Sequence, residues 1–263
     1  MISSQPRVSV VMPAYNASAF IAETIQSVLG QSVEDWELIV VDDCSTDNTR
    51  EVVTALSNED SRIRLIALEK NFGGPAGPRN VGVKAARADL VAFLDSDDIW
   101  HPEKLRLQLE VINNTEAAFV CTAMTDFVDE SHLSFPSIDN VEQTKVTYLS
   151  QTVRAQIPTS SVIASKALLM RAPFREDSDY KAVEDYHCWL QVLQMVGVCV
   201  KLQVPLLYYR RSEGQISGSK LMMMKKVLMV HREYPGRSRI AALAFTFTHV
   251  LGGFYFRFLK KGM

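Results

Sequence analysis

The sequence predicts an α/β fold, a mainly parallel sheet flanked by helices, and three observations carry that prediction. Short β-branched runs alternate with helical stretches from residue 7 to about 113. Acidic residues follow two of those runs directly, at Asp42 and Asp43 and at Asp95, Asp97 and Asp98. With 263 residues, 47% of them hydrophobic and 22% charged, the chain can bury one large core or two modest ones.

Taken in order, "RVSVVMPAYN" is β-branched from Val8 to Val11 and reads as a central strand halted by Pro13. "SAFIAETIQSVLGQS" places Phe20, Ile21, Ile25, Val28 and Leu29 at helical spacing, with Ser18 as its expected N-cap. "WELIVVDDCSTDNT" repeats the pattern: a buried run Leu38 to Val41, two acids, then Ser45, Thr46 and Asp47 opening a helix. "RIRLIALE" is a third strand. In "GGPAGPRNVGVKAARA" the glycines and prolines predict a turn, then a short helix ending near Arg87. "ADLVAFLDSDD" is the fourth strand, and Pro102 suits the first turn of the helix in "HPEKLRLQLEVIN".

Beyond it, "AAFVCTAMTDFVDE" reads as a further strand and "VEDYHCWLQVLQMVG" as a helix stopped by Gly197, with Trp189, Leu190, Leu193 and Val196 on one face. "VCVKLQVPLLYYRR" reads as strands broken by Pro205. In parallel α/β sheets ligands lie beyond the carboxyl ends of the strands. Pro13 to Asn16, Asp42 and Asp43, and Asp95 to Asp98 are therefore expected on one rim.

Several function classes are excluded. A net charge of −2, with no Lys and Arg run interleaved with aromatics, makes nucleic acid an unexpected partner. Cys44, Cys121, Cys188 and Cys199 lack the CxxC spacing or nearby histidines of a zinc site and read as reduced cytosolic thiols. The N-terminus has none of the parts of a signal peptide. A nicotinamide dehydrogenase would carry GxGxxG where this chain has "PAYNAS".

Carboxylates crowded at a strand end repel one another, and a divalent cation bridging them to a diphosphate removes that cost. Asp98 could instead simply begin the following helix. In order, "VSVVMPAYN", "WELIVVDDCSTDNT", "GGPAGPRNVGVKAA" and "LDSDD" resemble the family-two glycosyltransferases, an inverting group with the GT-A fold, from about Val8 to Leu109. "VEDYHCWLQ" resembles that family's later acidic pair, and "YYRRSEGQISGSK" more loosely its flexible C-terminal loop.

The resemblance implies a GT-A catalytic domain over 1–215, with a nucleotide-binding half (1–113) and an acceptor-binding half (114–215), then a C-terminal loop and helical segment over 216–263. It implies a nucleotide-sugar donor, UDP-linked, with Pro13, Ala14 and Tyr15 under the nucleotide. Asp43 would accept from a uracil-like base, as Asp42 could instead. Asp95, Ser96 and Asp97 match the DxD stretch. Asp97 would ligate Mn2+ or Mg2+, and Asp95 would meet the ribose or a metal-bound water. Arg79 would lie near the phosphates or hold the acidic rim. Asp185 is the implied base and Glu184 the residue orienting a glycan acceptor. Ser212 stands where many relatives have a histidine, so Arg210 and Arg211 could neutralise phosphate in its place.

From Ile240 to Phe256 there is no Asp, Glu, Lys or Arg, a stretch of 17 residues that is short for a bilayer span. With Phe254, Tyr255, Phe256 and Phe258 beside Arg257, Lys260 and Lys261, it suits a peripheral anchor at the inner face of the cell membrane. The acceptor would then be lipid-linked. A helix packed on the core, or a homodimer contact, is the other reading of this segment. A phosphatase with an aspartyl nucleophile, or a non-catalytic nucleotide-sugar-binding or scaffold protein, is the competing function.

Overall fold

The computed structural model describes residues 5–129, 133–138, 140–211, 220–234 and 238–258. Four strands run parallel in the first half: β1 (Val8–Ala14), β2 (Trp36–Asp42), β3 (Ile63–Ala67) and β4 (Leu90–Phe93), side by side in the order β3-β2-β1-β4. Helices α1 (Ile21–Leu29), α2 (Thr49–Glu59) and α3 (Ala76–Ala85) make the crossovers. Then follow β5 (Ile99–Trp100), α4 (Lys104–Thr115), β6 (Phe119–Phe127), β7 (Gln143–Thr147), α5 (Tyr148–Val153), β8 (Ile163–Ser165), α6 (Lys166–Arg171), α7 (Glu184–Val196), β9 (Val198–Arg210), α8 (Lys220–Glu233) and α9 (Arg239–Phe258). Among the described residues the sheet has nine strands, continuing from β4 through β8, β6 and β9 to β5, with β7 also on β9.

β8 runs antiparallel to both β4 and β6, so β6 regains the direction of β1 and β9 runs parallel to it. The carboxyl ends of β1, β2, β4, β6 and β9 therefore share one rim. The 3-10 turn Thr159–Ser161, which leads into β8, reaches that rim from the opposite direction.

Both faces of the parallel half are covered, which explains its unbroken apolar runs. Val10, Met12, Leu38, Val40 and Ala92 pack with Ile21 and Ile25 of α1 and Leu105 of α4. Val11, Ile39, Val41, Val91 and Phe93 pack with Val83 of α3 and Trp189 of α7. α3 lies close on the sheet because residue 82 is glycine: a Cβ there would meet Val11 Cγ1 at 2.3 Å.

The structure corrects several local expectations. β1 is not halted by Pro13 but runs to Ala14. The Val11 carbonyl accepts from Leu94 on the β4 side, so the nitrogen of residue 13 points the same way, past the end of β4, where its missing N–H costs no ladder bond. Ser18 is not the cap of α1. Its N–H goes to Asp47, and the Ala17 carbonyl accepts the first N–H groups of the helical turn. Of the "GGPAGPRN" prolines only Pro75 precedes α3, as its N-cap; Pro78 is the third residue of the helix, where no intrahelical donor is required. Pro102 lies two residues ahead of α4. Pro205 does not break β9; it sits where the register to β6 shifts, a bulge that tolerates a residue without an N–H. The four cysteines are free.

Candidate active site

The expected rim forms. Pro13 and Ala14 close the end of β1 in the buried core, while Tyr15 turns outward, 54% exposed. Next to it, Asn16 holds a left-handed φ of 48°, and Cys44, just after the acid pair, one of 61°. Asparagine tolerates that region, whereas a cysteine there persists only where surrounding contacts enforce it. Asn16 Oδ1 accepts from the Thr46 N–H, and its own N–H goes to Ser45, which ties the two loops together.

Asp42 and Asp43 differ in role. Asp42 is fully buried, with Oδ2 bound by Arg50 Nε at 2.5 Å. Asp43 accepts from the Phe72 N–H at 2.8 Å, while its own N–H caps the Ala14 carbonyl. Burial raises the Asp43 carboxyl, against the hydrogen bond from Phe72.

Of the three aspartates after β4, only Asp95 and Asp97 are partly exposed at the site. Asp98 is wholly buried. Its Oδ1 accepts from the Arg210 N–H at 3.1 Å, and its Oδ2 has no hydrogen-bond partner. Burial, then Asp97 and Asp95, push its carboxyl well above the usual range. It does not begin a helix, because β5 intervenes. Asp97 is half-buried, and burial followed by the charge of Asp95 raises it to about 6. Ser96 lends its carbonyl to the Thr24 hydroxyl at 3.0 Å. Asp95 takes the Ser160 hydroxyl oxygen on its N–H at 3.1 Å.

Arg79 joins the two halves of the chain. Its side chain is 4% exposed, with Nη2 2.7 Å from Asp95 and Nη1 3.2 Å from Glu184, 105 residues further on. Burial lowers its proton affinity, but Asp95, Glu184 and Asp185 outweigh burial and raise it. Arg79 thus braces the acids from within, unlike a surface ion pair of small worth. Glu184 is raised by burial and by Asp185 against the pull of Arg79. At the head of α7, Asp185 accepts from the Thr159 hydroxyl at 3.0 Å and from the Tyr186 N–H at 2.6 Å. Ala182, two residues before Glu184, also has a left-handed φ, 73°.

Arg210 is not available for phosphate. Its Nε donates to the Asp97 carbonyl at 2.8 Å, its Nη2 to Glu23 at 2.7 Å, and its guanidinium lies 4.6 Å from the rings of Phe20 and Phe127. Arg211 pairs with Asp126 at the surface. Ser212 and the loop after it lie outside the described residues. Sequence reasoning missed Thr159, Ser160 and Tyr209. Burial, then Asp98, Asp97 and Asp95, push the Tyr209 phenol up to about 12.

The profile of the family described as Glycosyl transferase family 2 matches residues 9–177. A protein named for teichuronic acid biosynthesis, the glycosyltransferase TuaG of Bacillus subtilis, is 33% identical over 233 residues, 89% of this chain and 90% of that one. The Escherichia coli UDP-Glc:alpha-D-GlcNAc-diphosphoundecaprenol beta-1,3-glucosyltransferase WfgD is 34% identical over 227 residues, covering 83% of each chain. Among solved structures, S. aureus TarS 1-349 with UDP-GlcNAc superposes with a TM-score of 0.73 at 24% identity, over 96% of this chain and 73% of that one, a likeness of fold. The Pyrobaculum calidifontis mannosyltransferase PcManGT, with GDP-Man and Mn2+, gives 0.69 at 16% identity, over 94% and 70%.

Proposed function

Because this chain belongs to glycosyl transferase family 2, we propose that it transfers a hexose with inversion from a UDP-linked donor to a lipid-linked glycan during assembly of a bacterial surface polysaccharide. The observation that carries the reading is the Arg79 bridge, which ties the aspartates after β4 to the acids at the head of α7. The donor and acceptor classes are those in the name of WfgD.

Asp185 takes the proton of the acceptor hydroxyl while that oxygen attacks the anomeric carbon. The bond from that carbon to the diphosphate breaks, and its electron pair departs with the nucleotide. Glu184, held by Arg79, orients the acceptor. Tyr15 offers its exposed ring beneath the base, beside Pro13 and Ala14. Asp43 accepts the base N–H; the commitment of Asp42 to Arg50 supports that assignment over the alternative. Ser96 lines the donor side between the two acids.

Among the described residues no group of three or more His, Cys, Asp and Glu could hold a metal alone. Two crowded carboxylates, one raised to about 6 by burial and its neighbour, are a donor set that fits a hard divalent cation. Asp97 and Asp95 would hold Mn2+ or Mg2+, and the ion would supply Lewis-acid stabilisation of the leaving diphosphate.

The test is a panel of UDP-hexoses with Mn2+, scored for donor hydrolysis and for transfer to a GlcNAc-diphospholipid. Asp97→Ala should lower both by about a hundredfold or more. Asp185→Asn should abolish transfer and spare UDP binding. Equal rates in wild type and Asp97→Ala overturn the metal assignment, and transfer by Asp185→Asn overturns the base.

The C-terminal segment supports the lipid side of the reading. Residues 1–215 are the catalytic unit, and Val227 and Val230 of α8, with Tyr234 just after it, pack against Tyr180, Val183, Tyr186 and Leu190. In α9, Ala242 and Thr246 face inward, whereas Ile240, Leu243, Phe247 and Leu251, spaced by three and four, form an exposed apolar stripe. No helix among the described residues is long and apolar enough to cross a membrane. After Glu233 the sequence has no acid and five basic residues, Arg237, Arg239, Arg257, Lys260 and Lys261. The occupant that fits is an anionic bilayer surface. The side chains of Phe254 to Phe258, with Lys260 and Lys261, lie outside the described residues. Phe247→Asp should release the protein from phosphatidylglycerol vesicles; unchanged sedimentation, or a dimer that dissociates instead, refutes the membrane assignment.

A further inference from the structure

The turn before β8 meets both halves of the site, and nothing in the proposed reaction assigns it a role. Thr159 is buried. Its Oγ1 receives the indole N–H of Trp189 at 3.2 Å and lies 3.0 Å from Asp185 Oδ2. An indole nitrogen can only donate, so at this contact the hydroxyl must accept. The single hydroxyl proton is then left for Asp185 Oδ2, which accepts it. The chain from Trp189 to Thr159 to Asp185 therefore has one polarity.

Trp189 cannot drift, because its ring packs on Phe93 at 5.9 Å, Phe119 at 5.4 Å and Phe174 at 5.5 Å. The next residues of the turn fix its other side. Ser160 Oγ accepts the Asp95 N–H at 3.1 Å, and its carbonyl accepts the Trp100 indole N–H at 2.7 Å. Ser161 Oγ accepts the Thr122 N–H of β6 at 3.2 Å, and its carbonyl the Gln108 amide of α4 at 2.9 Å.

We propose that Thr159 is the positioning residue of the base, and that the turn 159–161 sets the spacing between Asp185 and the aspartates after β4. This rests on the reading of Asp185 as base. Both carboxylate oxygens of Asp185 are tied, one by Thr159 and one by the Tyr186 N–H, which leaves the side chain little freedom to swing. A misplacement of about 1 Å in a reacting group can cost about a hundredfold in rate.

Two substitutions separate orientation from packing. Thr159→Val keeps the shape and loses the hydroxyl, whereas Thr159→Ser keeps the hydroxyl and loses the methyl. With UDP-glucose and a GlcNAc-diphospholipid, Thr159→Val should lower kcat about ten- to a hundredfold, with the donor KM within about twofold, and Thr159→Ser should stay near wild type. A merely structural threonine predicts the reverse order, with serine the worse variant. Wild-type kcat in Thr159→Val, or serine worse than valine, overturns the proposal. Turnover by Asp185→Asn alone refutes instead the base assignment on which it depends.

Discussion

Replacing Arg79 by methionine keeps most of the side chain's volume and removes the charge that binds the two acidic segments. The guanidinium is 4% exposed, between Asp95 and Glu184. Removing one partner of a buried ion pair costs about 3–5 kcal/mol, because the remaining charge stays in a poor solvent. Asp95 is 32% exposed and water can replace the lost partner there, whereas Glu184 is only 6% exposed. The lower end, about 3 kcal/mol, is therefore expected. At about 2–4 °C per kcal/mol for a chain of this size, Tm should fall by about 6–12 °C.

The pH dependence follows from Glu184. Burial and Asp185 already raise its carboxyl, Arg79 opposes them, and loss of Arg79 raises it further. A carboxyl held above its unfolded pKa favours the fold while protonated and loses that contribution as pH climbs through the folded value. The deficit against wild type should thus be larger near pH 8 than near pH 5. Differential scanning calorimetry at the two pH values measures it. A loss below about 2 °C at both, or a deficit that narrows toward pH 8, would mean that the bridge is solvated and the reasoning wrong.

Three further outcomes are expected. Mn2+ competes with the proton on Asp97, raised to about 6, so affinity by electron paramagnetic resonance should fall about tenfold per pH unit below that value and level off above it; a flat profile removes Asp97 as ligand. Gly82→Ala places a Cβ 2.3 Å from Val11 Cγ1 and should cost about 1–3 kcal/mol in urea denaturation; unchanged stability would show that α3 can lift from the sheet. Asp43→Ala should weaken UDP binding by calorimetry with little loss of Tm, whereas Asp42→Ala, which strips Arg50 of its buried partner, should do the opposite.

Much of the parallel half is legible because its signals are local. Runs such as Leu38 to Val41 are buried on both faces, and Gly197 ends α7 at a left-handed φ of 77°. Asp42, Asp43, Asp95 and Asp97 could be placed on the rim from strand order alone. The remaining features depend on contacts distant in sequence. Thr159 meets Asp185 across 26 residues, and Arg210 meets Asp97 across 113. No periodicity records such pairings. β8 is only three residues long, too short to stand out beside the apolar residues around it. Pro205 misleads for a related reason: whether a proline ends a strand depends on the register of the neighbouring strand, which the sequence does not print. The polar triplet Thr159-Ser160-Ser161 ahead of an apolar run was the available hint.

The reversed direction of β8 has an architectural consequence. Most of the wall around the cleft is made by chain leaving the sheet, but one panel is made by chain coming in, held to Asp95 on one side and to Asp185 on the other. Upstream of that panel, residues 154–158 belong to no helix or strand. A longer or shorter approach there could remodel the mouth of the cleft while the clamp itself, and with it the separation of the two acidic groups, stayed as it is.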